Sequence, residues 1–139
     1  MTGIDRAILV DALLRHEGYR RFPYRCPAGK LTVGVGRNLE DRGLTLKESL
    51  VLLNNDIDDF EAQLNKSLPW VGTLSPTRQA VLVNMAFNLG IQGLLKFARM
   101  LAAVKSGQYA EAADEMLASK WAQQVGQRAV ELARQMEIG

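Results

Sequence analysis

Apolar residues recur at spacings of three and four over most of the chain, which is the period of an amphipathic helix. The first such stretch covers residues 4–14. Thr2 or Asp5 is a candidate N-cap for this helix, and Gly18 is a candidate C-terminal stop. We therefore expect Glu17 to lie in or next to the last turn of the first helix.

The period changes to two within residues 22–38, where apolar residues alternate with threonine and glycine in the stretch LTVGVG. This alternation predicts a hairpin or a three-stranded antiparallel meander, with a turn around residues 26–30. Glycine at every second position leaves one strand face without side chains. That arrangement fits either a ligand approaching the backbone at Gly36 or tight packing against another element, and tight packing is the commoner case.

Helical periodicity then returns and continues to the end of the chain. A capping box of Thr45 and Glu48 opens a long helix that Pro69 ends. Ser75 and Gly90 are the expected cap and stop of the next helix. Shorter helices are predicted at residues 94–106, 109–118 and 126–136.

These elements predict an α+β fold in a single domain, because 139 residues are enough for one hydrophobic core. A small β lobe and a larger helical lobe would leave a cleft between them, which is a usual place for a ligand. The expected parts are a β lobe at about 18–44, a connecting helix at about 46–68, and a helical lobe formed by 1–17 and about 70–139.

Composition narrows the class of protein. A content of 47% hydrophobic and 23% charged residues is that of a soluble globular protein, and a single cysteine excludes an internal disulfide. The first apolar run is interrupted by charges, so we expect neither a signal peptide nor a membrane span, and synthesis in a cytoplasm. The net charge of +2 is slight. The basic residues between Arg15 and Arg42 fit a polyanionic partner or simply a solvated surface.

The chemistry-bearing residues gather near the predicted turn. A carboxylate at a helix C-terminus faces the negative end of the helix dipole, which would raise the pKa of Glu17 toward that of a general acid, although a plain solvated glutamate has the same position. The thiol of Cys26 has Arg25 and Lys30 beside it in sequence, and these could favour the thiolate. One histidine and one cysteine are too few for a conventional zinc site.

Three stretches of the chain bear on its family. HEGYRRFPYRCPAGKLTVGVGR (residues 16–37) resembles the active-site segment of the phage-type lysozymes, glycoside hydrolase family 24. NMAFNLGIQGLLKF (84–97) is similar to the long core helix of that family. SGQYAEAADEMLASKWAQQVGQRA (106–129) resembles the region that ends in the family's tryptophan and arginine. The resemblance implies a lysozyme-like fold over residues 1–139.

The resemblance also implies a muramidase that cuts the β-1,4 bond from N-acetylmuramic acid to N-acetylglucosamine, with Glu17 as general acid. Thr32 would help to hold the attacking water, and Arg128 would lie near Glu17 and hold its carboxylate in place. Family members often have Asp where this chain has Cys26. The thiolate could act as base, charge stabiliser or nucleophile, or the cysteine could be structural, which leaves inversion or retention open.

Other family positions carry over less directly. Arg37 stands where a histidine is common, and Asp56, Asp58 or Asp59 would be its partner. Phe87 would stack on a sugar or belong to the core, and Asn88 would bind an N-acetyl group. Trp70 and Trp121 are expected to be core residues.

The expected partner is the glycan strand of peptidoglycan, with no nucleic acid, no stable membrane insertion, no cofactor and no metal. We expect a monomer that is made in the host cytoplasm and acts on the cell wall in the periplasm after release. Two alternatives remain, namely a lysozyme-like module that binds peptidoglycan without cutting it, and an unrelated helical adaptor that binds nucleic acid.

Overall fold

The computed structural model describes residues 3–139 and confirms the predicted α+β fold. Thr2, one of the two candidate N-caps, lies outside the described residues. In chain order the elements are α1 (Arg6–Glu17), β1 (Arg20–Arg25), β2 (Leu31–Gly34), β3 (Arg37–Asn38), α2 (Leu46–Ser67), a 3₁₀ helix (Pro69–Thr73), α3 (Pro76–Leu95), α4 (Ala98–Lys105), α5 (Tyr109–Leu117), α6 (Lys120–Val125) and α7 (Gln127–Ile138).

Two compact units divide the chain, Met1–Val51 and Leu52–Gly139, and the division falls within α2. We expected the first helix to belong with the helical lobe, but α1 belongs to the first unit together with the sheet. The connection from α1 to β1 is only Gly18 and Tyr19, and the last residue of α1, Glu17, contacts the turn between β2 and β3.

The first helix begins and ends where its caps predict. The side chain of Asp5 accepts a hydrogen bond of 3.1 Å from the backbone N–H of Ile8. At the other end Gly18 has a φ of +73°, and its N–H donates to the carbonyl of Leu14 at 3.0 Å. A positive φ of this kind ends the helix, and glycine adopts it without a steric penalty.

The three strands form an antiparallel meander in the order β1-β2-β3, as predicted. The register of β1 against β2 pairs Arg20 with Gly34 and Tyr24 with Thr32. Between these two pairs β1 has three residues where β2 has only Val33, so β1 contains a bulge. The predicted turn at residues 26–30 connects these two strands.

The capping box at the start of α2 is confirmed. The Glu48 carboxylate accepts from the N–H of Thr45 at 2.9 Å, and the Thr45 hydroxyl accepts from the N–H of Glu48 at 3.1 Å. Ser75 caps α3 in the same way, with a bond of 3.2 Å from the N–H of Arg78. Gly90 has a φ of +75° and interrupts α3, which then continues to Leu95.

The boundaries after Gly90 differ from the prediction in two places. Because the residues after the kink continue α3 to Leu95, the next helix begins at Ala98 and not at position 94. The short helix α6, Lys120–Val125, was not predicted. Its signal was present, since the Ser119 hydroxyl caps it by accepting from the N–H of Ala122 at 3.2 Å.

Nearly all of the buried surface belongs to the second unit. The buried apolar side chains of the described residues run from Leu64 to Met136, with Leu82, Met85 and Met116 fully enclosed. In the first unit Thr32 is the described residue that is buried. Among residues 3–139 we find no single helix that is long and apolar enough to cross a membrane, although α3 and α4, bent by 102°, pass that test as a pair.

Candidate active site

The Glu17 carboxylate lies against the backbone of the turn between β2 and β3. A Cβ atom built on Gly36 would stand 3.1 Å from Glu17 Oε2, which is closer than ordinary van der Waals contact. Gly36 also has a φ of +71°, a conformation that side chains disfavour. Both facts explain the glycine at position 36 as the residue that makes room for the carboxylate, while its contact with substrate stays a prediction.

Cys26 begins the turn that joins β1 to β2. The N–H of Cys26 donates to the carbonyl of Lys30 at 2.9 Å, and the N–H of Gly29 donates to the carbonyl of Cys26 at 2.7 Å. The thiol is partly exposed.

Hydrogen bonds to the sulfur lower the pKa of Cys26 below its ordinary value. The backbone of Lys30 makes the largest contribution, burial opposes it, and the backbone of Ala28 lowers the pKa further. We expected a lowered pKa from the charges of Arg25 and Lys30. The direction is as expected, but the physical cause is hydrogen bonding to the thiolate.

Thr32 and Cys26 are held together through one carbonyl group. Thr32 is 3% exposed, and its hydroxyl donates to the carbonyl of Lys30 at 2.9 Å. The same carbonyl accepts from the N–H of Cys26. The structure thus brings two of the three predicted catalytic residues onto one short stretch of backbone.

Arg37 binds a different carboxylate from the ones that the sequence indicated. Its guanidinium is paired with both oxygens of Glu48, with Nη1 at 2.9 Å from Oε1, and Nη1 also donates to the carbonyl of Gly43 at 3.1 Å. The expected partners Asp56, Asp58 and Asp59 come later on α2 than Glu48, the acid of the capping box. Bonds from Arg37 first and then from Thr45 lower the pKa of Glu48 to about 2.

The remaining predicted residues lie in the second unit. Phe87 is 42% exposed and its ring lies 5.5 Å from the ring of Phe60, centroid to centroid. Phe87 and Arg128 both line a cavity of about 480 Å³, whose walls are mostly apolar side chains of α2 and α3. The Phe87 ring thus packs on Phe60 and is also accessible at the cavity, and its stacking on a sugar stays a prediction.

The amide oxygen of Asn88 makes a hydrogen bond within the molecule. Its Oδ1 accepts a hydrogen bond of 2.7 Å from Trp121 Nε1. Trp121 is 4% exposed and packs edge-on against Phe97, with the ring centroids 6.1 Å apart. Trp70 is partly buried against the same core. Both tryptophans are therefore packing residues, as expected.

The Arg128 guanidinium is bound by Asn84. Its Nη2 donates to Asn84 Oδ1 at 2.7 Å, and its Nε donates to the same oxygen at 3.2 Å. Sequence reasoning did not single out Asn84, although it begins the motif NMAFN, in which the two asparagines stand four residues apart on one helix face. The predicted position of Arg128 near Glu17 stays a prediction.

Three known proteins are similar in sequence to most of this chain. The SAR-endolysin of Escherichia phage Mu is 30% identical over 132 residues, covering 88% of this chain and 75% of that protein. The probable T4-type lysozyme 1 of Dictyostelium discoideum is 29% identical over an alignment of 159 residues, which covers 93% of each chain. The pre-baseplate central spike protein Gp5 of Enterobacteria phage T4 is 33% identical over 105 residues, which are 71% of this chain and 18% of that protein.

The family model described as phage lysozyme matches residues 14–137. That match spans the Glu17 carboxylate, the turn of Cys26 and the guanidinium of Arg128. On this evidence the chain belongs to the phage lysozyme family.

Proposed function

We propose that this protein is an endolysin that hydrolyses the β-1,4 bond between N-acetylmuramic acid and N-acetylglucosamine in bacterial peptidoglycan. Membership of the phage lysozyme family makes peptidoglycan the substrate class, and a relative named as an endolysin supports action on the cell wall. The observation that carries the finer proposal is that one unit holds both a carboxylate against a glycine backbone and a thiol whose pKa is lowered.

In the proposed reaction the bond from the muramic acid C1 to the glycosidic oxygen breaks. Glu17 gives its proton to that oxygen, so that the N-acetylglucosamine unit leaves with a neutral 4-hydroxyl group. Water supplies the oxygen of the new hydroxyl at C1, and its released proton returns the site to its starting charge. The product has a new reducing end on N-acetylmuramic acid.

The proposed role of Cys26 is to act as an anion on the water side of the sugar. A thiolate acting as base would take the proton of the attacking water, and the anomeric centre would invert. A thiolate that attacked C1 itself would form a thioglycoside, and water would then give retention. The Thr32 hydroxyl would help to hold the water in either route, because it donates to the same Lys30 carbonyl that the N–H of Cys26 binds.

The first experiment is the loss of turbidity of purified peptidoglycan with wild type, Glu17→Gln and His16→Gln. We expect wild type and His16→Gln to clear the suspension, and Glu17→Gln to be slower by about 100-fold or more, as for the loss of a general acid. His16 is a matched control because it is the neighbouring exposed residue of α1. If the wild-type protein sediments with the sacculi but does not clear them, the proposed hydrolase is contradicted and a binding module is supported.

The second experiment tests the thiol with Cys26→Ser and Cys26→Asp in the same assay. If position 26 works as an anion, the aspartate variant keeps activity and the serine variant loses it, since a serine hydroxyl stays neutral at any working pH. If both variants are as active as wild type, Cys26 has a structural role and not a catalytic one. NMR identification of the anomer that is released first distinguishes inversion from retention.

A further inference from the structure

Glu40 binds the backbone beside the turn of Cys26. Its Oε1 accepts a hydrogen bond of 2.9 Å from the N–H of Leu31, the first residue of β2. β3 ends at Asn38, two residues earlier. The carboxylate of Glu40 therefore occupies the place of the backbone acceptor that a longer β3 would have offered to Leu31.

The N–H of Leu31 belongs to the same peptide group as the carbonyl of Lys30. In a trans peptide these two groups lie in one plane and point in opposite directions within it. On the carbonyl side this peptide accepts from the N–H of Cys26 at 2.9 Å and from the Thr32 hydroxyl at 2.9 Å. On the N–H side it is bound by Glu40. The Glu40 carboxylate thus fixes the orientation of the peptide group to which both Cys26 and Thr32 are hydrogen-bonded.

Arg25 completes this connection from the other end of the turn. Its Nη1 donates to the same Glu40 Oε1 and also to the carbonyl of Gly29 at 3.1 Å. Arg25 precedes Cys26, and Leu31 is its partner across the hairpin. The carboxylate therefore links the two strand ends that hold residues 26–30.

We propose that Glu40 is a positioning residue that, together with Arg25, fixes the turn carrying Cys26 and the peptide shared by Cys26 and Thr32. Its effect on catalysis rests on the proposed function, in which Cys26 acts on the substrate. The geometric effect does not, and the thiol itself can report it because Cys26 is the only cysteine of the chain.

The direction of the change in the Cys26 pKa separates positioning from simple charge. Removing a nearby negative charge makes a thiolate easier to form, so a pure charge effect of Glu40 predicts a lower thiol pKa on its removal. Loosening the turn withdraws the Lys30 and Ala28 backbone from the sulfur, and these groups lower the pKa in the native protein. Positioning therefore predicts a higher thiol pKa.

The experiment is the pH dependence of alkylation of Cys26 by iodoacetamide in the folded full chain. Glu40→Asp keeps the charge but shortens the side chain by one methylene group, so it no longer reaches both Leu31 and Arg25. Glu40→Ala removes the charge and the acceptor. We expect both variants to raise the thiol pKa, by about half a pH unit or more.

Asp41→Ala is the matched control, since it removes a neighbouring carboxylate that binds side chains. Asp41 Oδ1 lies 3.3 Å from Lys30 Nζ, and Oδ2 accepts from the side chain of Asn38 at 3.0 Å. We expect no rise in the thiol pKa for this variant. An unchanged pKa in Glu40→Asp together with a lower one in Glu40→Ala would overturn the proposal and leave Glu40 as a charge only.

Thiol titration needs no substrate, so the two proposals fail in different ways. A raised thiol pKa in both Glu40 variants, with a wild type that does not clear peptidoglycan, would support positioning and reject the enzyme. Clearing by wild type without a rise in either Glu40 variant would support the enzyme and reject positioning. Glu40→Asp protects the test against misfolding, because it keeps the ion pair's charges.

Discussion

Gly34 and Gly36 have nearly the same φ angle but different surroundings. Their φ angles are +67° and +71°. A Cβ on Gly36 would meet the Glu17 carboxylate, whereas one on Gly34 would have no atom within 4 Å. This pair of glycines allows backbone strain to be separated from contact with the candidate general acid.

We predict that Gly36→Ala lowers peptidoglycan-clearing activity much more than Gly34→Ala does. Both substitutions place a side chain at positive φ and should cost about 1–2 kcal/mol of unfolding free energy. The alanine at position 36 also displaces the Glu17 carboxylate. Activity and denaturant unfolding of the two variants are the measurements, and equal activity at equal stability would contradict the role given to Gly36.

The positions of single residues were more predictable than their partners. Glu17 at the end of α1 follows from local signals, namely helical periodicity and Gly18. The pairing of Arg37 with Glu48 and of Arg128 with Asn84 depends on tertiary contacts, which a single sequence does not encode locally. The cause of the lowered Cys26 pKa was missed for the same reason, because backbone N–H groups carry no sequence signature.

Glu48 joins a strand and a helix by one side chain. It closes the capping box of α2 and pairs with Arg37 of β3, with the two side chains 35% and 24% exposed. These bonds lower its pKa from 4.5 to about 2. A carboxyl group with a depressed folded pKa stabilises the protein above its unfolded pKa, and that contribution is lost as the pH falls through the folded value.

We predict that the difference in Tm between wild type and Glu48→Gln is largest near neutral pH and shrinks as the pH falls from 4.5 toward 2. Glu131→Gln serves as the control, because Glu131 is an exposed glutamate in the middle of α7. Its difference from wild type should change less over the same range. A Glu48→Gln difference that stays constant with pH would contradict the stabilising role of the ionised Glu48.

Long elements with clear caps were predicted well, and short elements were missed. α2 and α3 carry both a capping signal and several turns of periodic apolar residues. The 3₁₀ helix Pro69–Thr73 and the six-residue α6 are too short to show a period. Their formation depends on Val71 and Trp121, which are buried in the core of the second unit.

Burial is distributed unevenly along the chain. The two helices α1 and α7 have equal lengths of 12 residues, but α1 has no buried residue whereas α7 buries Ala129, Leu132, Ala133 and Met136. Burial of apolar surface is the main term that opposes local opening of a helix.

We predict that backbone amides of α1 exchange with deuterium at least about tenfold faster than those of α7. Hydrogen exchange followed by mass spectrometry under native conditions is the measurement. The equal length of the two helices controls for fraying at their ends. Equal protection would show that α1 is stabilised by more than the contacts described for the first unit.

The two tryptophans and the single cysteine divide between the compact units. Trp70 and Trp121 both lie in the second unit, and Cys26 lies in the first. Intrinsic indole fluorescence therefore follows the second unit, while the rate of thiol labelling follows the first. The protein thus contains its own pair of optical and chemical probes, and the separation of their two unfolding transitions measures how cooperatively the chain folds without any introduced label.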